Sequence, residues 1–200
     1  MSAIKPKHKL NKETLLKTHL IRASDAREAG IHPAMLAYWT KKGLLERIDR
    51  GLYRNKQVHA EITFQWEDLV HTALSIPRGV ITGISALALY GLTEEIARFH
   101  WIAVPNGTSI APRPNTKILR LRCHDLGITS IKIGDIEVPI YNIEHTLVDS
   151  FRLLSIEAAI KALKEAFKLP KKNRPDLKKL AEYSKKLRVK IQPYLLMVTT

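Results

Sequence analysis

The segment HPAMLAYWTKKG, residues 32–43, groups side chains suited to holding a polyanion. If residues 33–42 form a helix, Leu36 and Trp39 share one side. Met35, Tyr38 and Lys42 then share another at spacings of three and four, with Lys41 beside them. The two ammonium groups suit phosphates, and a tyrosine or methionine can touch base edges or a thymine methyl. His32 and the amides near Pro33 lie at the helix start, where an anion is favoured. Shortly after, LLERIDRGLYR carries Arg47, Arg50 and Arg54, with Arg50 in the turn Asp49–Arg50–Gly51, placed to enter a minor groove or clamp a phosphate. Ser24 and Arg27, just upstream, complete the candidate DNA contacts. Plainer roles stand beside these: Tyr38 as a half-buried aromatic, Trp39 as core, and Arg27 paired with Asp25 or Glu28.

Presenting such side chains requires a particular order of elements. A first helix fits residues 12–20, with Leu15, Leu16, His19 and Leu20 as its apolar stripe, behind a flexible basic arm at residues 1–11. Ser24 is the expected N-cap of a short helix stopped by Gly30, and Pro33 suits the first position of the next, which Gly43 ends. LLERIDRGLYR reads as a β-hairpin. Helix, short helix, glycine turn, helix and hairpin is the order of a winged helix-turn-helix.

Past a linker at residues 55–62, TFQWEDLVHTALSIP reads as a helix with Phe64, Leu69, Ala73 and Ile76 on one side and Pro77 as terminator. GVITG reads as a short strand and SALALYG as a short helix. HWIAVP, KILRLRC, ITSIKIG and IEVPIYN are strand candidates, with turns at Asn106–Gly107 and Gly134–Asp135. IEHTLVDSFRLL, SIEAAIKALKEAF and Pro175 to Leu187 read as helices. The expected fold class is α+β. A winged helix-turn-helix domain spans 1–56, and a mixed α/β domain with a small sheet, flanking helices and a basic helical tail spans 62–200.

Composition narrows the function classes. With 45% hydrophobic and 26% charged residues, the 200-residue chain is globular. Its net charge of +14 divides into +8 over residues 1–60, −3 over 61–160 and +9 over 161–200. A basic head and tail around a mildly acidic middle imply polyanion-facing surfaces, although the tail reads equally as a solvated lysine-rich face. A single cysteine, Cys123, excludes an intramolecular disulfide and a multi-cysteine metal cage. It follows a β-like run and is expected to be buried. No stretch approaches the roughly 18 apolar residues of a membrane span, and the N-terminus lacks the apolar core of a signal peptide, so a cytoplasmic protein is expected.

No catalytic pattern holds. There is no Gly-x-Gly-x-x-Gly, no Walker loop and no Glu-x-Lys, and Gly83–Ile84–Ser85–Ala86–Leu87 lacks the second glycine of a nucleophile elbow. Asp135 and Glu137 would point the same way on a strand and could share a metal, but read more simply as turn-proximal carboxylates. Asp149 is a general base, a cap, or a partner of Arg152 three residues on. No catalytic residue, metal or cofactor is assigned.

The stretch ASDAREAGIHPAMLAYWTKKGLLERIDRGLYR resembles the N-terminal winged-helix domain of AbiE-type antitoxins, the transcriptional-regulator half of a bacterial toxin–antitoxin pair. Ala29–Gly30, Leu36, Gly43–Leu44–Leu45–Glu46–Arg47 and Arg50–Gly51–Leu52–Tyr53 carry the likeness. TGISALALYGL is similar to the family's small-residue helix, and VPIYNIEHTLVDSFRL to its Thr–Leu–Val–Asp segment, here Thr146 to Asp149. The likeness covers about residues 20–168. His145 stands where relatives commonly carry arginine, and the tail after Lys168 is unmatched. The resemblance implies a head that binds double-stranded DNA at its own promoter, usually at inverted repeats. It implies a body that counteracts a nucleotidyltransferase-type toxin, and leaves open a dimer or cooperative binding on DNA. Two other classes stay in view. One is a nucleic-acid-modifying or -cleaving enzyme targeted by the head. The other is a plain regulator whose body senses a ligand or dimerises.

Overall fold

Leu15, Ile21, Ala26, Ile31, Leu36 and Leu45 come from six successive short stretches of chain, and all are buried in one apolar cluster. In the computed structural model, which describes residues 12–62 and 64–199, these side chains draw together α1 (Lys12–Leu16), β1 (Leu20–Arg22), α2 (Ala23–Glu28), α3 (Pro33–Lys41) and the hairpin of β2 (Leu45–Asp49) and β3 (Leu52–Asn55). The three strands form an antiparallel sheet in the order β1-β3-β2. A register shift between Arg47 and Asp49 bends β2 near the hairpin turn. The expected basic arm, residues 1–11, lies outside the described residues.

Two local expectations need correcting. The first helix ends at Leu16, not at residue 20. The Lys17 and Thr18 amides donate to Thr14 and Leu15 carbonyls at 3.2 and 3.1 Å, and the Thr18 hydroxyl donates to Leu15 O at 2.7 Å. This tight turn releases Leu20–Arg22 to pair with β3, burying Ile21 completely. Nor is Ser24 an N-cap. The cap position is Arg22, in extended backbone with no side-chain cap bond, because α2 starts straight off the end of β1. The Ser24 hydroxyl donates to Asp25 Oδ1 at 3.1 Å, and Asp25 also pairs with Arg22 at 2.7 Å.

Backbone proximity divides the chain into two compact units, one up to Pro77 together with Lys132–Glu137, the other Arg78–Ile131 and Val138 onward. The first includes α4 (Phe64–Ser75), which packs on β2 and β3. Its buried apolar side chains are Leu69, Val70, Ala73 and Leu74. At about 100° per residue, Phe64 falls opposite that stripe, so it is 92% exposed and not on the apolar side as expected.

The second unit is built on β4 (Val80–Ile81), α5 (Gly83–Leu89), β5 (His100–Pro105), β6 (Thr116–Leu121) and the greater part of β7 (Ile128–Ile133) and β8 (Ile136–Tyr141), whose adjoining ends fall in the first. The strand order is β6-β5-β4-β8-β7, with β4 antiparallel to β5 and parallel to β8, and β5 parallel to β6. Every strand expected from sequence is present. Then come α6 (Ile143–Leu153), α7 (Ile156–Lys168), a 3-10 turn (Lys171–Asn173), α8 (Leu177–Leu187) and α9 (Gln192–Thr199). Asn142, Ser155 and Asp176 cap α6, α7 and α8 through their side chains. Leu147, Val148, Leu163, Leu180, Tyr183 and Ile191 close the helical core with Leu87 and Leu92. Cys123 is exposed, contrary to expectation, because β6 stops at Leu121 and the turn that follows sends His124 inward and Cys123 out.

Candidate nucleic-acid interface

In α3, Pro33 occupies the first turn, where a missing N–H costs nothing, and a His32 ring nitrogen accepts the Ala34 amide at 3.2 Å. His32 is therefore a capping residue as well as a solvent-facing one. Leu36 points into the core at 2% exposure and Trp39 packs partly against it. The opposite side presents Met35 and Tyr38, 39% and 51% exposed, with Lys41 and Lys42 also exposed. The Lys42 ammonium lies 5.8 Å from the Tyr38 ring centroid, near the outer limit of a cation–π contact. The two faces expected from spacing are thus the faces observed. Tyr38 is not core, and Trp39 is only partly so.

The wing is set by Gly51, whose φ of 77° no β-branched residue would accept easily, and by the Asp49 carboxylate, which accepts the Arg50 amide. Arg50 is exposed at the turn, and exposed Arg47 donates from Nε to Asp49 O at 3.4 Å. Ser24 and Arg27 are exposed on α2. Arg27 is not the partner of Asp25, which is taken by Arg22. Arg54 differs from the other candidates. Its guanidinium lies 3.1 Å from Glu67 of α4 and 3.8 Å from Glu46, and its Nε is buried with no hydrogen-bond partner among the described residues. It is tied to carboxylates at the foot of the wing.

Beside it lies a polar cleft of about 410 Å³, lined by His19, Glu46, Arg54, Lys56, His59 and Glu67 among others. Sequence reading missed this grouping because its members come from the turn before β1, both hairpin strands, the linker and α4. Burial holds His71, on the same helix as Glu67, below the usual histidine pKa.

Residues 13–56 match the family described as transcriptional regulator, AbiEi antitoxin. The match runs from α1 to just past β3, so it takes in the candidate contacts on α2, α3 and the wing. It covers under a quarter of the chain. The family whose model matches is the one that the stretch at residues 23–54 resembles, and the matched segment has the elements of a winged helix-turn-helix. No curated protein matches the chain. No helix among the described residues is long and apolar enough to cross a membrane.

In the second unit, the segment resembling the family's Thr–Leu–Val–Asp motif builds a buried polar chain. His145 stacks on Tyr141 at 3.8 Å, and its ring nitrogens lie 2.6 Å from Leu126 O and 3.2 Å from Asp149 Oδ2. Asp149 Oδ1 accepts from Arg152 at 2.8 and 2.9 Å. Of the readings open for Asp149, the pairing with Arg152 is the one observed. Asp135 accepts the Glu61 amide at 3.3 Å and lies 3.8 Å from Lys132. Glu137 is exposed, and no cluster of three or more histidine, cysteine or acidic side chains able to hold a metal occurs among the described residues.

Proposed function

We propose that this protein is a cytoplasmic DNA-binding antitoxin. It represses its own toxin–antitoxin promoter through the winged helix, residues 1–56, and counteracts a nucleotidyltransferase-type toxin through residues 62–200. The observation that carries the first half is the division of α3, with Leu36 in the core and Met35, Tyr38, Lys41 and Lys42 facing out, inside a segment matched to a regulator family. Lys41, Lys42, Arg47 and Arg50 serve phosphates, as do Ser24 and Arg27 at the end of α2. Met35 and Tyr38 read bases in the major groove. His32 fixes the helix start that approaches the duplex, and Arg54 holds the wing to α4 through Glu67. The toxin-directed half rests on the resemblance of residues 62–168 alone.

Gel-shift titrations of the full chain on its own promoter DNA test the reading. The variant Lys41→Ala/Lys42→Ala/Arg50→Ala is expected to lose affinity and to flatten the salt dependence by about 0.9 log unit per lost phosphate contact. Unchanged affinity overturns the DNA assignment. Co-expression with a nucleotidyltransferase-type toxin encoded by a neighbouring gene tests the other half: growth arrest that persists in the presence of the folded full chain removes that assignment.

A further inference from the structure

Residues 96–124 hold five Lys or Arg and no Asp or Glu, although residues 61–160 as a whole are net −3. Four of the five, Arg113, Lys117, Arg120 and Arg122, fall on or beside β6, the last strand on one side of the five-stranded sheet. The backbone of that strand is half used. His100 N donates to Asn115 O at 2.7 Å and Asn106 N to Leu121 O at 3.0 Å, one bond at each end of the β5–β6 pairing. These bonds set the phase of the parallel ladder. Odd-numbered residues of β6 turn their N–H and C=O groups to β5, and even-numbered ones turn theirs away. Thr116, Ile118 and Arg120 therefore offer a row of amides and carbonyls to a further strand, and no strand among the described residues takes it.

A cavity of about 600 Å³ lies beside the start of β6. Ile84, Ile96, Phe99 and Trp101 line it, with Arg98 and Lys117 as cations against one acid, Glu95. Ile96 is 92% exposed and Phe99 50%, so apolar surface stays in water unless something covers it. The Lys117 ammonium rests 3.6 Å from the Trp101 ring centroid, and Arg120 Nε donates to Thr108 O at 3.1 Å; among the described residues neither meets a carboxylate. Side chains alternate along a strand, so Lys117 and Arg120 stand on opposite faces, and an added strand meets a cation on each. An open ladder calls for a peptide backbone, the cavity for a large apolar side chain, and the cations for carboxylates. A second copy of the chain fits badly, because edge-to-edge pairing sets these cations against one another. A nucleic acid would satisfy the cations alone.

We propose that β6 is a docking edge for an extended acidic segment of a partner protein, which adds a strand to the sheet and lodges a large apolar side chain in the cavity beside Trp101. The proposal stands on the second unit by itself and depends neither on DNA binding by the head nor on the toxin assignment.

Anisotropy titrations of the full chain test it, using a labelled nine-residue peptide in which glutamates alternate with valines around one central phenylalanine. Saturable binding is expected. Lys117→Glu/Arg120→Glu should weaken it about tenfold or more, and Ile96→Ala, or alanine in place of the peptide's phenylalanine, severalfold. N-methylating one set of alternate peptide amides should abolish binding and methylating the other set should leave it, because only one set faces β6. Ile118→Pro should also abolish binding with the fold kept, since the Ile118 N–H points away from β5. If that variant fails to fold, the methylated peptides decide. Absence of binding, or equal loss with both methylated sets, overturns the proposal. So does a Lys117→Glu/Arg120→Glu variant that loses affinity for duplex DNA and keeps it for the peptide. Concentration-dependent dimerisation that folded Ile118→Pro removes would give the edge to a second copy and overturn it as well.

Discussion

His145 and Asp149 meet at 3.2 Å, one helical turn apart on α6, with both side chains excluded from solvent. The other ring nitrogen faces the Leu126 carbonyl, so both nitrogens point at acceptors. Asp149 also accepts from Arg152, so one buried carboxylate ties the histidine ring to the guanidinium.

Removing the carboxylate breaks that chain. Asp149→Asn is expected to lower unfolding stability by about 3–5 kcal/mol, because it leaves buried partners uncompensated. Chemical denaturation measures this, and a loss under about 1 kcal/mol would mean that the pairing adds little.

Gly83 sits at φ +54°, and an added Cβ would come within 2.3 Å of the Trp101 ring. Trp101 is itself buried and lies under the Lys117 ammonium, so it has little room to retreat. Gly83→Ala is therefore expected to cost about 2–4 kcal/mol, combining left-handed backbone strain with overpacking. Thermal melting is the measurement, and an unchanged midpoint contradicts the close packing.

Acid should weaken the first unit through His71. Its Nε2 is buried with no hydrogen-bond partner among the described residues, and burial is the largest influence on its titration. Glu67 and Asp68 oppose that effect, while Arg54 and His19 reinforce it. The folded pKa is depressed, so in the window just below the unfolded value of about 6.5 the unfolded chain binds more protons, and stability rises with pH. Between pH 7 and 5, the wild type is expected to lose more stability than His71→Gln. Parallel curves would show that His71 does not contribute.

Tyr38→Ala should leave the melting temperature nearly unchanged, since the ring is half exposed. On the proposed reading it narrows the gap between operator and random DNA by about 1–3 kcal/mol. Competition gel shifts decide, and full discrimination in the variant would move base reading away from α3.

The α3 faces, the hairpin and all the strands of the second unit were legible because each rests on local spacing or a local turn. What escaped was set by partners far along the chain. β1 is three residues long and exists because β3 supplies its ladder, so local apolar spacing ran it into the first helix. Phe64 looked like core until α4 was rotated by its contacts with the wing strands. Arg54 looked like a free cation because nothing in its own segment announces Glu67 thirteen residues later. The pairing of His145 with Asp149 was missed although four residues separate them, and Leu126, the partner that completes the chain, comes from a loop before β7.

The two-residue strand β4 occupies the middle of the five-stranded sheet, and its partner across the parallel pairing, Ile140 opposite Ile81, is about 60 residues away. Closing so long a loop costs entropy before any ladder bond repays it. The head, whose sheet joins residues 20–55, has far shorter loops to close. On refolding, protection of head amides against hydrogen exchange is therefore expected to precede protection of the Ile81 amide. As a nascent chain leaves the ribosome, the three-stranded sheet would acquire its shape while the five-stranded sheet still waits for β8.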